Sequence, residues 1–299
     1  ATAINSEVLS DIDTLSALAP LHNPANVAGI RAAQSALPDI PHVAVFDTAF
    51  HHAMPQEAST YAIPAAVRHE YGLRKYGFHG SSHSYVSRTA STMLGGDIAS
   101  QRIITLHLGN GSSVAAIRGG QCIDTSMGFT PLPGLVMGTR SGDIDPAVVP
   151  YLVRNAGMTS EEVDSLLNSE SGLLGLAGSS DFRDVLSAAE AGSKEASLAL
   201  GVWAWRIRHY IGAYAALLGG LDALVFTGGI GENSADARVR CVEGLEFLGV
   251  EIDNHLNRRD ASLSRIISPS GSSVAVMVIP TNEELEIALQ TADVVRRAR

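Results

Sequence analysis

Two strongly apolar segments of the sequence each run directly into a turn rich in glycine. Residues 102–117 read RIITLHLGNGSSVAAI, and residues 223–234 read ALVFTGGIGENS. Asn-Gly between two apolar runs is the strongest short signal for a β-hairpin, so the first segment predicts strand, tight turn and strand. The second predicts a fully buried strand that ends at its glycines. Together they predict a sheet whose strands end in tight glycine turns.

Short apolar strands alternate with helical segments along the rest of the chain. Residues 43–46 and 274–279 have the apolar run of a strand, whereas residues 160–167 and 196–218 have helical periodicity. The longer helix ends at a glycine pair, a common C-cap. Residues 125–146 show no periodicity, and so long a loop inside a compact domain indicates function. The alternation, with one hairpin, indicates the α/β fold class.

The balance of charge limits the partners of this chain. Lys and Arg number 21 against 31 Asp and Glu, which gives a net charge of −10. This charge argues against a nucleic-acid partner, because binding a phosphate backbone needs a dense basic surface. The only cysteines, Cys122 and Cys241, show no metal-ligand spacing and indicate a reducing compartment. Residues 211–231 are interrupted by glycines and an aspartate, so we expect no membrane partner and a cytoplasmic location.

Backbone N–H groups in either glycine turn can cradle a phosphate. The first turn is also explained by an ordinary hairpin, and the second by a strand-to-helix connection. Neither matches a dinucleotide fingerprint, because Ser234 replaces the third glycine, and this weakens a nicotinamide dehydrogenase interpretation. The P-loop motif does not occur in the sequence. Any nucleotide site is therefore of another kind.

Three polar side chains occupy positions where chemistry is common. Asp47 follows a predicted strand, where a carboxylate either binds a metal or caps local N–H groups. His79 lies between glycines in the sequence GFHG, where a single histidine is more often structural. Arg140 lies near two aspartates and either pairs with one of them or binds an anion. Each of these residues alone is a weak signal.

Acidic residues at two predicted helix starts add to this set. Asp181 follows Ser180, the predicted N-cap, and either contributes to a site or offsets the helix dipole. Thr281 and Glu284 fit a capping box at the start of the terminal helix, which leaves Glu283 free to reach a divalent cation. Carboxylates, a histidine, an arginine and two glycine turns are together the parts that phosphoryl transfer requires.

Several long segments, in their order along the chain, resemble the acetate kinases of the acetokinase family. They are VFDTAFHHAMP, YGFHGSSHSYV, HLGNGSSVAAI, DTSMGFTPLPGLVMGTRSGDIDP, LNSESGLLGLAGSSDFRDV, FTGGIGENS and PTNEEL. The resemblance extends from Leu18 to the terminal helix. It implies an α/β, actin-like ATPase (RNase-H-like) two-lobe kinase fold with an incomplete first lobe. Residues 1–50 with 283–299 would be the remnant of that lobe. Residues 51–282 would form the second, nucleotide-binding and dimerisation lobe.

The resemblance implies a role for each matching position. Asp47, His79 and Arg140 match catalytic residues, and Glu283 matches the magnesium-associated glutamate. The acetate pocket is matched by Leu21, His22, Phe78 and Pro131. The nucleotide-binding positions are matched by His107, Leu108, Gly109, Asn110, Gly111, Asp181, Phe182, Arg183, Gly229, Ile230, Gly231, Glu232 and Asn233.

The implied function is the reversible, ATP-dependent phosphorylation of acetate to acetyl phosphate by direct in-line transfer. ATP and Mg²⁺ or Mn²⁺ are the implied cofactors, and a homodimer is the implied assembly. Propionate kinases share these motifs and remain an alternative, as does a non-catalytic actin-like nucleotide-binding fragment. Relatives begin with a segment, absent from this sequence, that supplies part of the metal site and the carboxylate clamp. We therefore expect a truncated form with impaired activity.

Overall fold

The computed structural model describes residues 1–17, 23–259 and 262–297. Its strands are β1 (Thr2–Ala3), β2 (Val43–Ala44), β3 (Arg102–Leu108), β4 (Ser112–Arg118), β5 (Gln121–Thr125), β6 (Ala223–Thr227), β7 (Arg265–Ile266) and β8 (Ala275–Val278). Its helices are α1 (Ser6–Thr14), α2 (Asn23–Ala36), α3 (Gln56–Ser59), α4 (Ala65–Tyr71), α5 (Gly80–Leu94), α6 (Val148–Asn155), α7 (Ser160–Ser169), α8 (Gly172–Ala177), α9 (Phe182–Glu190), α10 (Lys194–Leu218), α11 (Gly228–Asn233), α12 (Ala235–Val242), α13 (Asn254–Arg258) and α14 (Glu283–Arg297).

The larger sheet has the strand order β5-β4-β3-β6-β8-β7. Strands β3 and β4 form the predicted hairpin, in which Leu108 faces Ser112 across the turn. Strands β3 and β6 are parallel neighbours, with His107 opposite Thr227. Because parallel neighbours end at the same edge of a sheet, both glycine turns leave this sheet side by side.

Helices cover both faces of this sheet, and the period-two alternation of strand residues decides which side chains each face receives. Ile104, Leu106 and Leu108 of β3 pack in the core that contains α10. Ile103 packs in the core that contains residues of α5, so Thr105 and His107 lie on that face too. Within the described residues, neither α10 nor any other helix is long and apolar enough to cross a bilayer.

The smaller sheet pairs β1 with β2 and packs against α14. Helix α14 also contacts α5, where the buried carboxylate of Glu286 accepts hydrogen bonds from Ser84 and Arg88. The terminal helix therefore joins the smaller sheet to the layer that covers the larger one. The strand predicted at residues 43–46 is shorter than expected, because only Val43–Ala44 pair with β1.

Most predicted elements are confirmed, and two predicted helix caps are wrong by one residue. The side chain of Asp181, rather than that of Ser180, caps α9 by accepting from the Arg183 N–H. At α14 the cap is Asn282, whose side chain accepts from the Leu285 N–H, so the predicted capping box does not form. Asn and Asp are as good at this position as Ser and Thr, so sequence alone leaves the register open.

Candidate functional site

The two glycine turns line one cavity of about 1040 Å³. The first turn lies between β3 and β4, and the second is the start of α11. The beginning of α9 forms a further wall. The predicted nucleotide-binding residues that line this cavity are Gly109, Asn110, Asp181, Phe182, Arg183, Gly229, Ile230, Glu232 and Asn233.

The second turn is held by the carboxylate of Glu232. This carboxylate accepts hydrogen bonds from the Gly228 N–H at 2.8 Å, the Thr227 hydroxyl at 3.2 Å and the Thr281 N–H at 3.1 Å. Gly228 has a φ of +76°, and a Cβ there would lie 2.8 Å from the carbonyl oxygen of Leu108. Glu232 thus shapes the turn, and Gly228 allows it to approach the first turn closely.

A buried arginine that the sequence analysis missed supports the same turn. Arg238 is only 1% exposed and donates to the carbonyl oxygens of Gly231 at 2.8 Å and Glu232 at 3.0 Å. Its guanidinium also donates to Asn257. Burial, together with the positive charge of nearby Arg265, lowers its pKa to about 10. A single arginine in an amphipathic segment is ordinarily exposed, so no signal in the sequence indicated this role.

Arg140 reaches the first turn from the long irregular loop. Its guanidinium donates to the carbonyl oxygen of Pro131 at 3.3 Å, and it forms no ion pair with any described residue. The alternative that it pairs with a nearby aspartate is wrong, because Asp143 binds Tyr210 and Asp145 caps a turn. Burial lowers the pKa of Arg140, which nonetheless stays charged at neutral pH. A half-buried cation without a carboxylate partner is suited to an anionic ligand.

His79 meets Arg140 beside Gly111. A Cβ on Gly111 would lie 3.5 Å from Nη1 of Arg140 and 3.6 Å from Nε2 of His79. His79 itself has a φ of +56°, a conformation that no other described non-glycine residue adopts. Such backbone strain concentrates at functional sites, where surrounding contacts maintain it.

Asp47 maintains that backbone conformation. Its carboxylate accepts from the N–H groups of His79 at 2.5 Å and Ser81 at 3.1 Å, and its carbonyl oxygen accepts from the Gly80 N–H at 2.9 Å. Asp47 is therefore the carboxylate at the N-terminus of α5, where the helix dipole favours a negative charge. Its capping role, one of the two that the sequence allowed, is confirmed.

His79 is stacked on His107, with ring centroids 4.2 Å apart and planes inclined by 22°. Burial lowers the pKa of His79 to about 4, and the charge of Arg140 contributes. Burial lowers the pKa of His107 to about 3, and His79 contributes. Both imidazoles are therefore neutral at physiological pH, and Arg140 is the cation of this cluster.

The carboxylate of Glu283 lies within electrostatic range of the carboxylate of Asp47. Burial raises the pKa of Glu283, and the negative charge of Asp47 raises it further. Glu283 has no hydrogen bond or ion pair with the described residues, among which no group of three or more His, Cys, Asp or Glu side chains converges. Mg²⁺ is commonly held by one or two carboxylates together with substrate phosphates and water. An unpartnered, partly buried carboxylate beside a second one fits such an ion.

Comparison with known proteins decides the family. The sequence model of the Acetokinase family matches residues 1–289. This chain belongs to the acetokinase family. It is 58% identical over 290 residues to an acetate kinase of Clavibacter sepedonicus, covering 97% of this chain and 73% of that relative.

Two solved structures, of an acetate kinase and a propionate kinase, are also similar to the chain. A Porphyromonas gingivalis acetate kinase is 45% identical with a TM-score of 0.94, covering 98% of this chain and 74% of that one. A Francisella tularensis propionate kinase is 46% identical with a TM-score of 0.90, and the match covers 96% of this chain and 73% of the propionate kinase. The predicted α/β, actin-like ATPase fold is thereby confirmed.

Some residues matched to the acetokinase motifs lie away from the cavity. The side chain of Leu108 is buried in the core. Gly231 of α11 packs against Phe226 and Leu108. The ring of His107 is stacked on the ring of His79 and does not line the cavity. The Phe78 carbonyl oxygen accepts from His51 Nε2 at 2.8 Å. Leu21 and His22, predicted for the acetate pocket, lie outside the described residues.

Proposed function

We propose that this chain catalyses the reversible, ATP-dependent phosphorylation of acetate to acetyl phosphate. The observation that carries the proposal is the convergence of Arg140 and His79 on Gly111, which directly follows Gly109 and Asn110 of the cavity lining. The cavity has the size of a nucleotide site, and backbone N–H groups of its glycine turns would bind phosphate. The shared family of named acetate kinases supports the same assignment.

Catalysis of this reaction requires electrostatic stabilisation and no general base. Acetate is already ionised at neutral pH, so its attacking oxygen carries no proton to remove. The enzyme must bring two anions together and stabilise charge on the transferring phosphoryl group. In this site Arg140 supplies the positive charge, and neutral His79 supplies a hydrogen bond without a second charge. Asp47, already engaged in capping, orients His79 and does not serve as a base.

The nucleotide would lie in the cavity with its phosphates toward Gly109 and Gly229. Asp181 and Arg183, paired at 2.5 Å, line the same cavity and would lie beside the adenosine. When bound, Mg²⁺ would supply positive charge that offsets part of the negative charge of the phosphates. Asp47 and Glu283 would hold it, directly or through water.

Formation of acetyl hydroxamate from ATP, acetate and hydroxylamine tests the proposal on the 299-residue chain. We expect Arg140→Ala to lower kcat by about 10³-fold, with a smaller effect on nucleotide affinity. Arg154→Ala, which removes an exposed arginine of α6, is the matched control and should leave turnover unchanged. No hydroxamate from the wild-type chain, or near-normal turnover in Arg140→Ala, contradicts the proposal. Impaired activity stays a prediction, which turnover equal to that of full-length acetate kinases would contradict.

Propionate is a second candidate substrate, since a propionate kinase is 46% identical to this chain and an acetate kinase of solved structure is 45% identical. Excluding one methylene changes the transition-state energy by only about 1–3 kcal/mol. The ratio of kcat/KM for the two acids decides between them. ATP binding without turnover of either acid would instead support a non-catalytic nucleotide-binding fragment.

We also propose a cytoplasmic homodimer in which residues 51–282 form the nucleotide-binding and dimerisation lobe and residues 1–50 with 283–299 belong to the other. Leu198, Val202 and Trp205 form an apolar strip on α10 and are 63%, 38% and 70% exposed. Their spacing places them on one helix face, where a second copy would bury them.

Light scattering after size exclusion tests the dimer. Trp205→Glu should convert it to monomer, because association would bury an unpaired charge. Phe247→Glu is the control, because Phe247 is 80% exposed and lies outside α10. This variant should remain a dimer. A wild-type monomer at micromolar concentration contradicts the proposal.

A further inference from the structure

A chain of hydrogen bonds runs from the centre of the sheet to the ring of His79. Thr105 Oγ1 lies 2.7 Å from His83 Nδ1, and His83 Nε2 lies 2.8 Å from Ser113 Oγ. Ser113 Oγ lies in turn 2.9 Å from His79 Nδ1. Thr105, His83 and Ser113 are fully buried. The alternation of β3 places Thr105 on the face covered by α5, which carries His83.

The supply of acceptors decides the direction of these bonds. A hydroxyl has one proton to donate, and a neutral imidazole has one N–H and one acceptor nitrogen. Within the described residues, His83 Nδ1 is the only hydrogen-bond partner of the Thr105 hydroxyl. If His83 donated from Nδ1, the buried Thr105 proton would have no acceptor, which is strongly unfavourable. Thr105 therefore donates to His83 Nδ1.

The rest of the chain follows from that first bond. With its Nδ1 occupied as an acceptor, neutral His83 carries its proton on Nε2 and donates it to Ser113. The Ser113 hydroxyl then donates to His79 Nδ1, so His79 carries its own proton on Nε2. Nε2 is the atom that lies near Gly111, beside Arg140. The opposite tautomer would present a lone pair to an anionic phosphoryl group.

We propose that Thr105 is a positioning residue that acts through His83 and Ser113 to keep His79 in the Nε2–H tautomer, ready to donate a hydrogen bond to the transferring phosphoryl group. This inference rests on the proposed function for its consequence, but not for the tautomer itself. The hydrogen bonds of this chain fix which nitrogen of His79 carries the proton and therefore what His79 offers to an anion. His79 keeps its proton throughout the reaction.

Nitrogen-15 NMR of the chain with labelled imidazoles tests the tautomer without any turnover. We expect a protonated Nε2 and an unprotonated Nδ1 for His79 at pH 7. Thr105→Val, which removes the hydroxyl at nearly constant volume, should populate the other tautomer, and Thr105→Ser should restore the wild-type spectrum. His107, whose Nδ1 bonds Ser82 instead, is the internal reference and should not change. A wild-type Nδ1–H tautomer, or a tautomer unaffected by Thr105→Val, overturns the proposal.

Binding and kinetics test the consequence. Thr105→Val should weaken the aluminium-fluoride-dependent part of ADP binding, and lower kcat, by roughly two- to tenfold with unchanged KM values. ADP binding without fluoride should not change, and Thr105→Ser should recover both losses. Ser113→Ala interrupts the chain one bond closer to His79 and should behave like Thr105→Val. A changed tautomer with unchanged fluoride-dependent binding overturns the positioning role. Absent hydroxamate formation in wild type would refute the proposed function alone.

Discussion

Gly111 is the residue at which the two donor side chains of the site meet. Its backbone is not in the left-handed region, so alanine can adopt the same conformation. An added Cβ would make ordinary van der Waals contacts with Arg140 and His79. Because Gly111 has no side chain, the space between the charged donor Arg140 and the neutral donor His79 stays open. A phosphoryl group in this space would accept hydrogen bonds from both.

Gly111→Ala should therefore fold normally yet lose activity. We expect kcat to fall by about tenfold or more, because the methyl group displaces the phosphoryl group from its two donors and misplacement is costly. The hydroxamate assay measures the loss, and thermal unfolding measures the stability. Gly212→Ala is the control, since a Cβ on that α10 glycine meets nothing within 4 Å. Activity of Gly111→Ala equal to that of Gly212→Ala would contradict this view.

At the scale of elements, α10 braces the loop that carries Arg140. Tyr210 of α10 donates to the Asp143 carboxylate at 2.7 Å, and Asp143 also accepts from the Gly134 N–H at 2.8 Å. One turn further along the helix, Tyr214 is buried and its hydroxyl has no partner among the described residues. The rings of Tyr210 and Tyr214 are in edge-to-face contact, with their centroids 5.5 Å apart. Helix α10 thus carries one tyrosine hydroxyl that forms a hydrogen bond and, among the described residues, one that does not.

Removing these two hydroxyls should have opposite effects. Tyr210→Phe should lower the free energy of unfolding by about 1.5–3 kcal/mol, because it removes a hydrogen bond to a charged group. Tyr214→Phe should be neutral or stabilising by about 1 kcal/mol, because it removes an unsatisfied buried group. Urea unfolding measures both, and each variant is the volume-matched control for the other. A larger loss in Tyr214→Phe would show that its hydroxyl has a partner.

At the scale of the whole molecule, buried histidines link folding to pH. Burial lowers the pKa of His79 to about 4 and that of His107 to about 3, and it lowers the pKa values of His51 and His83. In the unfolded chain a histidine has a pKa of about 6.5. Below that pH the unfolded state therefore binds more protons than the folded state, and stability declines as pH falls.

We expect the free energy of unfolding to be highest above pH 6.5 and to fall between pH 6.5 and 5. Each histidine that stays neutral in the fold contributes a slope of up to about 1.4 kcal/mol per pH unit. Urea unfolding across this range measures the slope. His79→Gln should reduce the slope by up to about 1.4 kcal/mol per pH unit, the contribution of one histidine. A stability that is flat or rises as pH falls from 6.5 to 5 would contradict the burial of these rings.

Local patterns predicted much of the fold. Apolar runs and glycines along the chain indicated the hairpin β3–β4, the buried strand β6 and the long helix α10. These features depend on neighbours in the sequence, so periodicity and turn chemistry suffice. The predicted caps at Ser180 and Thr281 failed by one residue, since adjacent Asp and Asn side chains compete for the same N–H groups. The acetokinase motifs named the candidate site residues, yet not their contacts.

The fold class, the family and the choice of Arg140 and His79 as candidate anion-binding groups followed from sequence patterns and motifs. Their meeting at Gly111, the support of the second turn by Arg238 and the hydrogen-bond chain from Thr105 to His79 are visible only in the folded molecule. The physical reason is that a buried polar group must find its partner wherever the packed chain supplies one. That partner is set by the packing of α5 on β3, and no spacing along the sequence records it.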